Sequence, residues 1–437
     1  MTGLDFPASA GEPDVRARAE GEFVLLGIPD VNGSIRGKAL RPAAFEAAVR
    51  EGTVMTDLLL ALDPTDQPIT DYEQFGIRTG AGDLVVLPEP DTLRELSWRL
   101  GWRICLATPV WPDGRPCELS SREVLRAALA SVTELGYETL AAFEYEIRIR
   151  DAAGEPLSSG ISYSVGEVLR FDDFIARLGP ALEGLGIELS AIHTEAGPGL
   201  LELNVAARPG LQAADEAALL KLAVKEVAAS LGLRASFLAK TAPGEEGSSG
   251  HLHLSLWNEG ENAFAAEELM GSAVAGVLDH LPAASLLYNP TINSYKRLVP
   301  GYFAPVNASW GLENRSTAVR VIRSARPERN RIECRRPGAD ANPYLALAAL
   351  VASAVDGIKR GATPPEPIVG DASVRGDIPM LPRSLESALR AFAEDDVLRQ
   401  ALGTTFSDYY AVSRQWEVNA WQEAVSDWER ERYGDAV

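Results

Sequence analysis

Four short segments of this chain alternate polar with apolar residues, and that alternation limits what they can fold into. In Ala142–Ile149, Glu144, Glu146 and Arg148 alternate with Phe143, Tyr145 and Ile147. In Leu201–Val205, Glu202 and Asn204 fall between three aliphatic residues. His251, His253 and Ser255 alternate with leucines, and Arg331, Glu333 and Arg335 with Ile332 and Cys334. A period of two places each polar set on one face of a strand and its apolar set on the other.

Each polar face taken singly reads as solvated sheet surface. Together they do not, because the residue choice is narrow. The chain has only 4 histidines, and two of them share one strand face. Glu, His and Arg are what a hard divalent cation and a polyphosphate select. If the faces converge, Glu144, Glu146, Glu195, Glu202 and Glu333 bring five negative charges into one cavity. One like-charge pair about 5 Å apart costs roughly 3 kcal/mol at an effective dielectric near 20. Such a cluster needs metal.

With 437 residues, 46% hydrophobic and 24% charged, the chain reads as an ordinary globular protein of two unequal domains. Its net charge of −21, without any basic run, speaks against nucleic-acid and anionic-membrane partners. Cys105, Cys117 and Cys334 are odd in number and lack paired spacing, which points to a reducing compartment without disulfides or thiolate zinc. The N-terminus lacks a signal-peptide apolar region, and the longest apolar helical stretch, Leu345–Val355, is too short to cross a bilayer. A cytoplasmic location is expected.

Residues 1–20 read as a loose arm, 21–105 as a domain of short strands with one helix near Ala43–Arg50, and 106–437 as a larger domain. Helices are expected at about 172–184, 213–231, 265–280, 342–360, 382–394 and 408–432. Ser120-x-x-Glu123 has the spacing of a capping box that opens a helix to about Leu135. His280 is expected at a helix C-terminus and His193 as a structural hydrogen-bonder. Trp416, Trp421 and Trp428 are expected to pack the terminal helix.

Six motifs then occur in order. They are Glu144-x-Glu146, Glu195-Ala-Gly-Pro-Gly-Leu-Leu-Glu202, Gly247-Ser-Ser-Gly-His-Leu-His253, the loop Asn289–Pro305 with Arg297, Asn314-Arg315 followed by Arg320, and Arg331-Ile-Glu-Cys-Arg335. In that order they closely resemble the glutamine synthetase family, and Asp340-Ala-Asn-Pro-Tyr344 extends the likeness. The resemblance implies an α+β fold: a small N-terminal β-grasp domain and a catalytic domain whose curved antiparallel sheet forms a funnel flanked by helices. It implies one Mg2+ or Mn2+ on Glu146, Glu195 and Glu202, and a second on Glu144, His251 and Glu333. By the same resemblance His253 and Ser255, with Arg320 and Arg331, face ATP. Arg297 and Arg335 grip the carboxylate of glutamate, Gly247 lets backbone approach it beside Glu146, and Arg315 stabilises the phosphoryl group in flight. A ring-shaped homo-oligomer, a dodecamer of two hexamers, is implied as well.

One position breaks the pattern. Where ammonia-using members place a glutamate after Gly-Tyr, this chain has Phe303. An aromatic ring offers no base and no charge, but an apolar wall and cation–π contact. The expectation is an ATP-dependent ligase joining the γ-carboxylate of glutamate to a small organic amine. Two alternatives stand beside it: an ammonia-using glutamine synthetase, and a catalytically lapsed structural or sensing protein. Leu200 and Glu246 also depart from the usual Gln and Asn. Asp63 and Asp66, in an N-terminal loop, are weaker candidates for amine binding.

Overall fold

The computed structural model describes residues 23–437, so the expected arm lies outside the described residues. Alternating apolar residues build the first sheet from β1 (Phe23–Pro29), β2 (Ile35–Leu40), β3 (Thr53–Thr56), β4 (Asp83–Pro88), β5 (Arg94–Glu95) and β6 (Trp102–Val110). Its order is β2-β1-β6-β4-β3, with β1 and β6 parallel and the other pairs antiparallel. Val24, Leu26, Val86 and Cys105 bury one face against Phe45 of the helix Pro42–Glu51, as in a β-grasp. From the other face Ile104 and Leu106 join the main core with Phe143 and Tyr344. The expected boundary at residue 105 therefore falls inside β6.

The second sheet comprises β7 (Glu138–Arg150), β8 (Leu189–Thr194), β9 (Leu200–Val205), β10 (Arg208–Pro209), β11 (Arg234–Ser236), β12 (Gly250–Asn258), β13 (Glu261–Asn262), β14 (Trp310–Leu312), β15 (Val319–Ile322) and β16 (Arg331–Cys334). Its spine runs β14-β15-β16-β12-β7-β9-β8. It is antiparallel except at its edge, where β14 pairs parallel with β15. There the chain turns through Glu313 at φ 50, and Asn314 side-chain bonds to Ser316 coil it back level with its start. The leucines of β12 and the aromatics of β7 are buried as the alternation requires. They lie under the helices Gly210–Ser230, Glu267–Tyr288 and Pro343–Arg360. The last two cross at backbone contact, since a Cβ on Gly276 would meet Ser353 O at 2.2 Å and Gly357 Cα at 2.7 Å.

Asn342 joins the two sheets. It caps the helix Pro343–Arg360 by accepting from Tyr344 N and Leu345 N, while its Nδ2 donates to Asp30 O at 2.9 Å and Val31 O at 3.3 Å.

Several local expectations need correction. Ser120 precedes its helix, Ser121–Thr133, without capping it; Glu123 pairs with Arg126 instead of reaching back to backbone. The stretch 408–432 is two helices, Thr404–Glu423 and Asp427–Tyr433, because Ser426 and Glu429 form a capping box that starts the second. Trp416 packs on the core, but Trp421 and Trp428 are exposed. The helix Glu267–Tyr288 outruns Leu345–Val355 as the apolar helix to consider. It is long and apolar enough to cross a bilayer, yet 72% of its apolar window is buried inside the fold.

That helix also runs past His280, which is therefore mid-helix and buried rather than terminal. Its Nδ1 lies 2.7 Å from Asp395 Oδ2 and its Nε2 3.0 Å from Asp356 Oδ2, so one ring bridges three helical segments. Burial opposes the charged ring, but the two aspartates outweigh it and raise its pKa. A raised folded-state pKa stabilises fully below the unfolded value near 6.5 and loses that stabilisation as pH climbs through the folded value. His280→Gln is expected to cost about 1.5–3 kcal/mol near pH 5.5, and less at pH 9. Thermal melts of both proteins across that range check it; a Tm gap that does not narrow with pH contradicts the bridge.

Candidate active site

Strand register settles whether the four polar faces meet. Across β7 and β9, Glu146 faces Glu202 and Glu144 faces Asn204. His251 of β12 faces Glu144, and His253 faces Glu333 of β16. Arg320 of β15 also faces Glu333, and His193 of β8 faces Glu202. Facing residues on one side of a sheet stand about 5 Å apart at Cβ. The polar sets therefore form one continuous surface.

On that surface the ligating atoms of Glu144, His251 and Glu333 all lie within 4.8 Å of one another. A second group meets the same limit: His193, Glu195 and Glu202. His193 lies against two of the three expected ligands, with Nδ1 3.3 Å from Glu195 and Nε2 3.2 Å from Glu202. Its ring stacks on Tyr163 at 4.2 Å. Glu146, which faces Glu202 across the strands, accepts from Ser249 N at 2.6 Å. Both groups combine carboxylate oxygen with imidazole nitrogen, a donor set that can hold a divalent ion. His251 turns Nδ1 toward the two carboxylates, 3.5 Å from Glu333 and 3.8 Å from Glu144.

The charges in the two groups are unequal. Burial, then Glu146 and Glu202, pushes the Glu195 carboxyl up to about 7. Burial would also raise Glu144, but His253 and His251 hold it well below the usual carboxylate range. Glu333 is buried too, yet Arg335 and the histidines bring it down to about 2. Negative charge is thus uncompensated around Glu195, where only a proton or a cation relieves it.

Arginines surround both groups. Arg335 is bound to Glu333 and donates from Nε to Arg315 O at 3.0 Å. Arg320 bridges Glu333 at 3.0 Å and Glu313. Arg331 donates from Nε to His253 Nδ1 at 3.1 Å, and His253 Nε2 lies 2.9 Å from Glu144. Arg297 is 1% exposed; it donates to Ser249 Oγ at 3.2 Å and to Arg336 O, and no carboxylate pairs with it among the described residues. Burial pushes its guanidinium down to about 10. A buried cation without a counter-ion is costly, and an anionic ligand resolves it. Arg315 is exposed, and its guanidinium makes no hydrogen bond or ion pair among the described residues.

Other expected residues have additional or different partners. Ser255 Oγ accepts from Trp257 Nε1 at 2.9 Å. A Cβ on Gly247 would meet Arg297 Cγ at 2.2 Å, so the packing of Arg297 already requires glycine there. Asp63 holds its own turn by accepting from Thr65 N and Gln67 N, and Asp66 pairs with Arg36. Phe303 is 65% exposed on a left-handed backbone at φ 51.

Comparison with known proteins shows the family. Residues 118–433 match the family model described as glutamine synthetase, catalytic domain. Glutamate–isopropylamine ligase of Pseudomonas sp is 33% identical, covering 95% of each chain. The γ-glutamylethanolamide synthetase GlnA4 of Streptomyces coelicolor is 33% identical over 94% of this chain and 92% of its own. Glutamine synthetase of Thermus thermophilus is 34% identical over 94% and 95%. A solved GmaS/ADP complex superposes with a TM-score of 0.86 at 27% identity, over 96% of this chain and 99% of that one. The chain belongs to the glutamine synthetase family. It is an ATP-dependent ligase that forms carbon–nitrogen bonds, and its family uses divalent metal.

Proposed function

We propose that this protein is a γ-glutamyl-amine ligase, joining the γ-carboxylate of glutamate to an organic amine at the expense of ATP. The observation that carries the reading is Phe303, an exposed ring where ammonia-using members of the family place a glutamate. Identity does not choose, since the amine ligases and the glutamine synthetase above are equally close.

In this reading Glu144, His251 and Glu333 hold one divalent ion and His193, Glu195 and Glu202 the other, with Glu146 beside them. Bound there, the ions neutralise phosphate charge and polarise the phosphoryl group. Arg297, buried and without a carboxylate partner, is the receptor for the glutamate carboxylate. Arg335 turns from Glu333 to share that role. Arg320, Arg331, His253 and Ser255 face the nucleotide, and Arg315 swings onto the phosphoryl group during transfer. The amine nitrogen then attacks the γ-carbonyl carbon of the acyl phosphate. A C–N bond forms, the C–O bond to phosphate breaks, and phosphate leaves with the electron pair and takes up the proton that the amine gives up. We further propose the two-domain division near residue 105 and the ring-shaped homo-oligomer that the family resemblance implies.

A phosphate-release assay with ATP, Mg2+ and glutamate tests the reading against ammonium and a panel of primary amines. An organic amine is expected to exceed ammonium in kcat/KM by at least about tenfold. Ammonium prevailing at equal concentration restores plain glutamine synthesis.

A further inference from the structure

Beside Arg315 lies a cavity of about 730 Å3, within the usual range for small-molecule pockets. We propose that it receives the non-reacting part of the amine, and that this part is hydrocarbon. The substrate class is then a primary alkyl- or arylalkylamine, rather than a hydroxyalkylamine or a polyamine. This inference rests on the γ-glutamyl-amine reading above.

The lining is the first ground. Phe303, Leu312, Pro367, Ile368 and Val369 supply apolar surface to the cavity. Phe303 is 65%, Leu312 51% and Val369 91% exposed, so three large apolar side chains stand in water around one hollow. Single exposed apolar residues are ordinary; a group of them rimming a concavity marks a binding surface.

Backbone geometry is the second. Phe303 and Glu313, which both line the cavity, adopt left-handed conformations that non-glycine residues rarely hold. Such strain persists where surrounding structure enforces it, and it concentrates at ligand sites. The third wall is fastened in place. Ile368 N donates to Trp310 O at 2.8 Å, and Asn314 Nδ2 donates to Ile368 O at 2.9 Å and Gly370 O at 2.8 Å.

The cavity also adjoins the reacting groups. Its wall residue Arg315 accepts from Arg335 through its carbonyl, and its wall residue Glu313 is tied through Arg320 to Glu333. An amine whose nitrogen reaches the metal-side surface would therefore leave its tail here.

Charge selects the kind of tail. Arg320, shared with Glu333, offsets Glu313, and Arg315 offsets Asp371, which keeps its charge while accepting from Ser373 N at 2.8 Å. The lining charges thus nearly cancel and hold no excess of negative charge for the distal ammonium of a polyamine, and along the wall of Phe303, Leu312, Ile368 and Val369 a hydroxyl gains nothing over a methyl.

The test is kcat/KM for ATP- and glutamate-dependent phosphate release with 3-methylbutylamine, benzylamine, methylamine, ethanolamine and putrescine. The two bulkier hydrocarbon amines are expected to exceed ethanolamine and putrescine by roughly tenfold, the value of burying about two methylenes. Val369→Asp and Leu312→Asp should each lower the ratio of 3-methylbutylamine to methylamine by about tenfold. Turnover with organic amines but with ethanolamine or putrescine equal to the hydrocarbons overturns this inference alone. Unchanged ratios in both variants do the same. Turnover with ammonium and no organic amine overturns the amine-ligase reading and this inference together.

Discussion

Glu333→Gln is expected to lower phosphate release by at least about a thousandfold while leaving the fold intact. Glu333 is 1% exposed and touches more of the site than any neighbour: His251, Arg320 and Arg335 all lie within 4 Å. Glutamine keeps its shape and one acceptor oxygen, which can stay on Arg335, while Arg320 keeps Glu313 as its partner, so the substitution does not strand two buried cations. What it removes is the charge that competes for a divalent ion beside Glu144 and His251. Mn2+ titration by calorimetry should show one of two sites lost, with far-UV circular dichroism unchanged. Two intact sites, or turnover near that of the parent protein, would refute the assignment of Glu144, His251 and Glu333 to one ion.

How much of this was legible beforehand depends on how local each signal is. β7, β9, β12 and β16 announce their polar faces because each alternates strictly, and strict alternation survives into structure as one buried face and one open face. Convergence of those faces is a matter of register between segments far apart in sequence; pairing Glu333 with His253 and Glu144 with His251 is not written in any one segment. The family resemblance supplied it. His193 was expected as a hydrogen-bonder and does bond Glu202, but its closeness to both carboxylates was not legible for a related reason. Its strand, Leu189–Thr194, carries an irregularity between Leu189 and Ala191, so no clean period marks which face the imidazole takes.

Side chains with several potential partners were the hardest to read. Ser120 and Glu123 have the right spacing for a capping box, but Arg126 one turn on offers Glu123 a charged partner. Arg335, expected on a ligand, also holds Glu333, because a buried carboxylate attracts the guanidinium next to it on the same strand face. Gly247 has two sufficient reasons to be glycine, and only the structure reveals the one supplied by Arg297.

Phe303→Glu is the substitution that should change the nucleophile. Ammonium must be attracted as a cation and must lose a proton before it can attack, and a carboxylate at the site mouth does both. Phe303 does neither. Its backbone already sits in the left-handed region at φ 51, where glutamate is no worse tolerated than phenylalanine, and its ring is 65% exposed. Replacing an exposed side chain in this way should alter stability by no more than about 0.5 kcal/mol, so a change in activity can be read as chemistry. Ammonium-supported turnover is expected to rise at least about tenfold, and turnover with 3-methylbutylamine to fall as the apolar wall is lost. The two changes together shift the ammonium-to-alkylamine ratio by about a hundredfold. Phosphate release measured with each nucleophile at subsaturating concentration gives that ratio directly. If it stays put, position 303 does not meet the incoming amine, and the preference for organic amines has to be sought in the wall formed by Leu312 and Val369.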